Sequence, residues 1–495
     1  MFQIGFDNDR YLKMQSERIM ERIKQFGSKL YLEFGGKLFD DYHASRVLPG
    51  FEPDSKIRLL KTMADKTEIV IVINAANIEA NKLRSDIGIP YAADVLRLID
   101  AFRGEGLYVG SVVISQYRGQ QAADNFKRYL EQFEIKVYLH YHISDYPTNV
   151  PFILSEMGFG KNDYIETTKP LVVVTAPGPG SGKMATCLSQ LYHDHLKGVQ
   201  AGYAKFETFP IWNLPLKHPV NLSYEAATAD LNDLNMIDPF HLEAYKETTV
   251  NYNRDIDVFP VLNAMFKKIL GYAPYKSPTD MGVNMAGYCI TDDEICRKAS
   301  EQEIIRRYYS ALCSVASGKG NRTELHKLEL LMNNSDLSTE KRAVVQAAND
   351  KAISSKTPSV ALELPDGTIV TGRTSNLLGP AAAALLNALK VLAGIKDEVH
   401  LISPVVIEPI QHLKVNILGN QNPRLHTDEI LIALAICAAT NPTVDLALKQ
   451  IPKLKNSELH STVILSPVDG NVLTKLGVNV TCEPQYNGKQ LYHKQ

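Results

Sequence analysis

The chain has 495 residues, of which 45% are hydrophobic and 22% are charged, and its formal net charge is −2. This composition is typical of a multidomain soluble globular protein, and the near-zero charge gives no electrostatic reason to bind nucleic acid or an anionic membrane. We expect no secretory signal and no membrane span, and six cysteines without CxxC spacing favour reduced thiols and a cytoplasmic location.

Strand-like and helix-like segments alternate through the first 225 residues. Helical spacing predicts helices at 16–27 and 91–104, the second between Pro90 and Gly104. The apolar runs predict strands at 29–35, 68–74, 107–115, 135–143, 171–176 and 198–206. This alternation predicts a doubly wound, mostly parallel α/β sheet, which we assign to a domain spanning 1–225.

The remaining chain divides into a helical part and a second α/β part. Residues 226–345 show almost no strand pattern and predict a helical domain. Residues 346–495 predict a C-terminal α/β domain, with a hairpin whose turn is Asp366-Gly367. An alanine-rich helix (379–394), a helix near 427–440 and the apolar runs 400–407 and 461–466 follow.

The hairpin and the alanine-rich helix resemble the start of the cytidine-deaminase fold. That chemistry needs H-x-E or C-x-E at the helix start and a later P-C-x-x-C. Here the helix starts with Gly379-Pro380-Ala381, and no P-C-x-x-C follows. If the fold is shared, it has no zinc.

A glycine-rich stretch, APGPGSGKM (176–184), connects the predicted strand 171–176 to a predicted helix. Glycines let consecutive N–H groups turn toward an anion, and the helix N-terminus adds partial positive charge. A lysine after the last glycine is positioned to reach a phosphate. The residues expected to hold the phosphate are Gly178, Gly180, Ser181, Gly182 and Lys183.

This stretch departs from the Walker A pattern G-x-x-x-x-G-K-[ST] at several positions. Pro177 occupies the first glycine position, Pro179 lacks an N–H, and Met184 replaces the hydroxyl that ligates Mg²⁺. The sequence therefore predicts an anion site that suits ATP or another nucleotide, with the role of Mg²⁺ left open. The alternative is a tight turn whose glycines only permit close packing.

Two other strand ends carry candidate residues. Lys37, His43 and Arg46 follow the strand 29–35, where a lysine and an arginine suit a phosphate or carboxylate and a histidine can move a proton. Lys205 ends the strand 198–206 and would clamp a second anionic group. Polar residues in solvent at ordinary strand ends are the alternative.

The histidines do not predict a metal site. His140 and His142 share one face of a predicted strand, but the chain has no HExxH motif and no nearby Cys/His cluster. His193 and His195 lie two apart on a predicted helix and point in different directions. We therefore predict packing or surface histidines and no metal.

Five segments together resemble a bacterial family catalogued as domain of unknown function 1846. They are EFGGKLFDDYHASRVLPGF, RSDIGIPY, TAPGPGSGKMATCLSQLYHDH, SPTDMGVN and PDGTIVTGR. The resemblance extends over nearly the whole chain. It implies a multidomain α/β protein of the bacterial cytoplasm, and it implies no reaction or catalytic residues.

Two classes of function remain open from the sequence. The first is a nucleotide- or phosphate-dependent enzyme that transfers a phosphoryl group or ligates a small metabolite, with Lys37, His43 and Arg46 acting on the second substrate. The second is a non-catalytic phosphometabolite-binding or regulatory scaffold, which the missing Mg²⁺ hydroxyl favours. In both cases the partner is a small phosphate-bearing molecule, and we also expect a homodimer.

Overall fold

The computed structural model describes residues 4–35, 38–39, 41–84 and 88–486. The chain forms two compact units, each with its own apolar core. The first comprises Ile4–Glu225 and Asn232–Ala299, and the second comprises 226–231 and 300–486. The three domains expected from the sequence, with boundaries near 225 and 345, stay a prediction.

A seven-stranded sheet forms the centre of the first unit. Its order is β4-β3-β2-β5-β1-β6-β9, and every neighbouring pair is parallel. All six predicted strands of residues 1–225 are present, which confirms an α/β fold with a mostly parallel sheet. The strands are β1 (Lys29–Phe34), β2 (Thr67–Asn74), β3 (Tyr108–Tyr117), β4 (Lys136–Tyr141), β5 (Leu171–Thr175), β6 (Ala201–Phe206), the paired β7 (Asn235–Ile237) and β8 (Val250–Tyr252), and β9 (Gly282–Val283).

The helices cover this sheet and extend into the middle of the chain. The second predicted helix has the bounds expected, whereas the first begins eight residues earlier because Asp7 accepts a hydrogen bond from Arg10 N (2.9 Å) and caps it. The helices are α1 (Asn8–Gln25), α2 (Tyr42–Val47), α3 (Ser55–Lys61), α4 (Ala75–Glu79), α5 (Tyr91–Gly104), α6 (Gln121–Glu131), α7 (Val150–Ile153), α8 (Lys183–Leu196), α9 (Pro219–Ala227), α10 (Pro239–Tyr245), α11 (Asn253–Leu270), α12 (Pro278–Met281) and α13 (Asp293–Ala316).

The strand order creates two crevices at the carboxyl edge of the sheet. The chain leaves β2 for β3 on one side and leaves β5 for β6 on the other, so the connections diverge between β2 and β5. They diverge again between β1, which leads to β2, and β6, which leads to β9. Ligands of open α/β sheets bind at such points. The glycine-rich stretch therefore borders the first crevice, and the end of β6 borders the second.

The second unit contains a four-stranded sheet in the order β11-β10-β12-β13. The predicted hairpin is present, because β10 and β11 pair antiparallel. The run 400–407 does not form a strand, because a helix begins within it at Pro404. Proline is favourable at the first position of a helix, since an N–H group there would have no acceptor within the helix. The elements are α14 (Arg322–Asn334), α15 (Ala343–Ser355), β10 (Ser359–Glu363), β11 (Ile369–Arg373), α16 (Pro380–Leu392), α17 (Pro404–His412), α18 (Thr427–Ala438), α19 (Pro442–Leu448), β12 (Glu458–Ser461), α20 (Pro467–Lys475) and β13 (Asn479–Cys482).

Three further expectations concern the chain as a whole. Within the described ranges, no helix combines the length and the apolarity that crossing a bilayer requires. The stretch 226–345 is mainly helical, but it also contains the short strands β7, β8 and β9, which the sequence pattern missed. The deaminase-like fold, the cytoplasmic location and the absence of a nucleic-acid partner stay predictions.

Candidate functional site

The glycine loop, defined here as residues 177–184, links the fully buried β5 to the first turn of α8. Gly180 (φ +73°) and Gly182 (φ +90°) adopt left-handed backbone conformations, which favour glycine. Gly182 is the N-cap residue of α8, and no side chain caps this helix. The first turn of α8 therefore keeps its N–H groups available to a ligand.

Polar side chains from neighbouring strands hold the carbonyl groups of the glycine loop. Asn74 Nδ2 donates to Gly180 O (3.3 Å), and Ser115 Oγ donates to Ser181 O (2.5 Å). Ser181 Oγ donates to Gly178 O (2.8 Å). In a trans peptide, the C=O and the following N–H point in opposite directions. Fixing these carbonyls toward β2 and β3 therefore turns the amide of Gly182 away from those strands.

The amides at the start of α8 are unoccupied in the described part of the chain. No acceptor there takes a hydrogen bond from the N–H of Gly182, Lys183 or Met184. Lys183 is half-buried, and none of the described carboxylates lies within 4 Å of its ammonium. A helix N-terminus carries about half a positive charge. The loop thus presents uncompensated positive charge, as an anion site requires.

Gly178 is required by its neighbour Tyr91. A Cβ at position 178 would lie 2.2 Å from Tyr91 Oη, whereas a Cβ at Gly180 would meet nothing within 4 Å. The phenol therefore lies against the start of the loop, and the space beside Gly180 is open. Gly178 thus permits close packing against Tyr91, and Gly180 permits a positive φ angle.

A buried polar stripe runs between α8 and β1, and sequence reasoning missed it. Asp194, fully buried, accepts hydrogen bonds from Tyr31 Oη (2.6 Å) and Tyr164 Oη (2.8 Å). Helical spacing of four, three and four residues could have revealed the stripe, because it places polar side chains on one face. Its members on α8 are Lys183, Cys187, Gln190 and Asp194.

A second polar cluster lies at the crevice between β1 and β6. Lys205, whose side chain is 13% exposed, forms ion pairs with Glu207 (2.8 Å) and with Asp255 of α11, and both carboxyl side chains are buried. Glu33 is paired in register with Lys205 on the adjacent strand and accepts a hydrogen bond from Tyr203 Oη (2.8 Å). The cluster therefore places three carboxyl groups around one ammonium.

Burial and neighbouring charges shift the pKa values of Glu207 and Asp255 in opposite directions. Burial raises the pKa of Glu207 to about 7, because the nearby Asp255 carboxylate adds to the effect and Lys205 offsets it only in part. Burial alone would also raise the pKa of Asp255, but Lys205 holds it below its ordinary value. The two carboxylates likewise outweigh burial and raise the pKa of Lys205. Near neutral pH, Glu207 is the member that exchanges a proton.

Two further sequence-predicted residues, His43 and Arg46, lie on α2. The ring of His43 packs edge-on against Phe209 (5.3 Å) and Tyr224 (5.4 Å), and Arg46 is half-buried on the same helix. Lys37 lies outside the described residues. The catalytic roles of Lys37, His43 and Arg46, and the clamping role of Lys205, stay predictions. Because Lys205 already meets two carboxylates, an added anion there would compete with both.

His140 and His142, at the end of β4, each contact another group of the chain. Across the described ranges, no group of three or more His, Cys, Asp or Glu side chains has an arrangement that could hold a metal ion. Burial lowers the pKa of His140 to about 4, and its Nε2 lies 3.2 Å from Asp163 O, so this ring is neutral and packed. His142 instead contacts Arg118 (2.7 Å between Nε2 and Nη2).

Comparison with known proteins identifies relatives along nearly the whole chain. The family model described as domain of unknown function DUF1846, N-terminal, matches residues 4–336, and its C-terminal counterpart matches 340–492. A UPF0371 protein of Streptococcus uberis is 59% identical over 494 residues, which cover 100% of both chains. UPF0371 proteins of Streptococcus thermophilus (59% identical, 99% of both chains) and Streptococcus pyogenes serotype M5 (58%, 100% of both) are similar to the same extent.

Proposed function

The chain belongs to the DUF1846 family, and we propose that its glycine loop binds the phosphate group of a nucleotide or another phosphorylated small molecule. The single observation that supports this proposal most is the orientation of the loop peptides. Asn74 and Ser115 hold two loop carbonyls toward the neighbouring strands. Among the described residues, no acceptor takes a hydrogen bond from the amides at the start of α8, a helix whose first residue is Lys183.

The position of the loop in the sheet supports the same function. It borders a crevice where strand connections diverge, and phosphates bind at helix N-termini in such crevices. Lys183 adds a full charge to the partial charge of the helix. A charge-assisted hydrogen bond contributes roughly 1.5–3 kcal/mol, which corresponds to about a 10- to 150-fold difference in affinity.

Binding without catalysis is the simpler form of this proposal. Met184 occupies the position where the Walker pattern places its Mg²⁺ ligand, so this loop offers no hydroxyl there. We therefore expect phosphate binding that does not require a divalent cation. A regulatory or scaffold role fits this form.

A phosphoryl-transfer or ligase reaction is the second candidate, and the cluster of Lys205, Glu207 and Asp255 favours it. A buried carboxyl group whose pKa lies near 7 suits a general acid or base. This cluster lies at the end of β6, two strands from β5, or roughly 10 Å at the usual strand spacing. A substrate held by its phosphate at the loop could therefore extend toward these carboxyl groups.

Calorimetric titration tests the proposal. The wild-type chain should bind ATP, ADP or a phosphomonoester both with Mg²⁺ and with EDTA, and Lys183→Ala should weaken binding at least tenfold. Lys13→Ala removes an exposed lysine of α1 and serves as the matched control, with unchanged affinity expected. Equal affinity of Lys183→Ala and wild type would reject the site. Binding that requires Mg²⁺ would favour the enzymatic candidate over the scaffold.

A further inference from the structure

Helix α18 of the second unit is apolar on its solvent side as well as on its core side. Ile430, Ala433 and Leu434 face the core, whereas Ile432 is 63% exposed and Ile436 is 67% exposed. After its first turn the helix carries no charged residue. A surface helix is usually polar on its outer face, and a helix that is apolar all round is usually buried. The outer face of α18 therefore has the character of a covered surface.

The neighbouring segment extends this apolar surface. A π-helical turn, Leu413–Ile417, continues from α17, and its Lys414 Nζ donates to Glu429 Oε2 in the first turn of α18 (2.8 Å). The large exposed side chains of α17, of this turn with the following Leu418, and of α18 form what we call the aliphatic face: Val405, Leu413, Ile417, Leu418, Ile432 and Ile436.

We propose that the aliphatic face is the surface on which a second copy of this chain packs. A two-fold interface brings the same patch of both copies together, and the six aliphatic side chains themselves carry no charge that would repel a second copy. Beyond Asp428 and Glu429 in its first turn, α18 offers no charge to an acidic or basic partner. A second copy accordingly fits this surface better than a charged partner does.

The aliphatic face supplies a large part of the area that a dimer needs. Burying one large aliphatic side chain removes roughly 60–120 Å² of apolar surface from water, so six remove roughly 350–700 Å². A stable interface uses about 800 Å² per partner, polar rim included. A monomer rarely exposes this many large aliphatic side chains on adjoining segments to water.

Light scattering after size exclusion tests the proposal on the full chain. The wild-type chain should elute with twice the chain mass at micromolar concentration, and Ile432→Asp should elute as a monomer with an unchanged circular dichroism spectrum. Ile353→Asp is the matched control, because Ile353 is 75% exposed on α15, outside the aliphatic face, and this variant should remain a dimer.

Amide hydrogen exchange keeps the test valid if Ile432→Asp does not fold. In the wild-type chain, protection of 404–418 and 427–438 should increase with protein concentration, while that of α15 should not. A wild-type monomer at every concentration would overturn the proposal. A folded Ile432→Asp variant that remains a dimer, or protection confined to another surface, would overturn it as well.

Discussion

Replacing Glu207 by glutamine should remove a pH dependence from the stability of the first unit. The folded pKa of Glu207 is raised from 4.5 to about 7, so the folded chain retains a proton that the unfolded chain has released. Stability therefore falls as pH rises from about 5 through 7, since ionising Glu207 in the fold places a second buried carboxylate beside Asp255. At 1.36 kcal/mol per pH unit, this shift corresponds to about 3 kcal/mol.

Glutamine resembles the protonated carboxyl in shape, and its oxygen can still accept a hydrogen bond from Lys205. Glu207→Gln should therefore be about as stable as wild type near pH 5 and more stable by up to about 3 kcal/mol near pH 8. Urea unfolding monitored by tryptophan fluorescence is the assay, because Trp212 is the single tryptophan and lies in the first unit. Glu17→Gln, an exposed substitution on α1, should leave the pH dependence of wild type unchanged.

The fluorescence of the folded chain provides an independent measurement of the protonation of Glu207. Trp212 and Glu207 approach each other at Gly282, where a Cβ would lie 2.6 Å from Trp212 Cζ2 and 3.2 Å from Glu207 Oε2. The emission of the folded chain should titrate near pH 7 in wild type and not in Glu207→Gln. If Glu207→Gln instead destabilises the unit equally at pH 5 and pH 8, Glu207 is ionised throughout, and the ion pair with Lys205 is its main role.

Three further predictions concern the glycine loop and the stripe under α8. Gly178→Ala should disturb the loop and weaken phosphate binding, and Tyr91→Ala in the same chain should restore part of the affinity, because the added methyl collides with the phenol. Asp194→Ala should lower the free energy of unfolding by roughly 3–5 kcal/mol in urea titration, since the buried Tyr31 and the half-buried Tyr164 lose their acceptor and Lys29 loses its ion-pair partner. Cys187, whose thiol is fully buried and has a raised pKa, should react with a thiol reagent at pH 8 only after unfolding, as peptide mass spectrometry would show.

The sheet of the first unit was predictable because its central strands are apolar at nearly every position. β2 and β5 are buried along their whole length, as strands covered on both sides must be, and their runs of valine and isoleucine reveal this directly. The order of the strands was not predictable from such runs. It determines which strand ends become neighbours, and therefore it determines that Lys205 of β6 lies beside Glu33 of β1 across a long stretch of sequence.

Short elements and polar interiors escaped the sequence pattern for a related reason. β9 has only two residues, too few for any periodicity, and it forms because β6 offers it an edge. Asp194 lies in a helix that carries several polar residues, and it is buried because Tyr31 and Tyr164 satisfy its carboxylate. In both cases the structure depends on contacts with residues distant in sequence, and the periodicity of a single sequence contains no information about such contacts.

The two prolines of the glycine loop bear on which phosphate compound it accepts. A Walker loop wraps its phosphate with a continuous run of N–H groups, but Pro177 and Pro179 have none, so the run here begins only at Gly180. With Met184 at the metal position, little in this loop remains to hold a chain of phosphates with its Mg²⁺. We therefore expect a phosphomonoester to bind about as tightly as ATP with Mg²⁺ in competition calorimetry. An affinity for ATP at least tenfold higher, present only with Mg²⁺, would contradict this reasoning and would indicate that another hydroxyl, such as that of Thr186, ligates the metal.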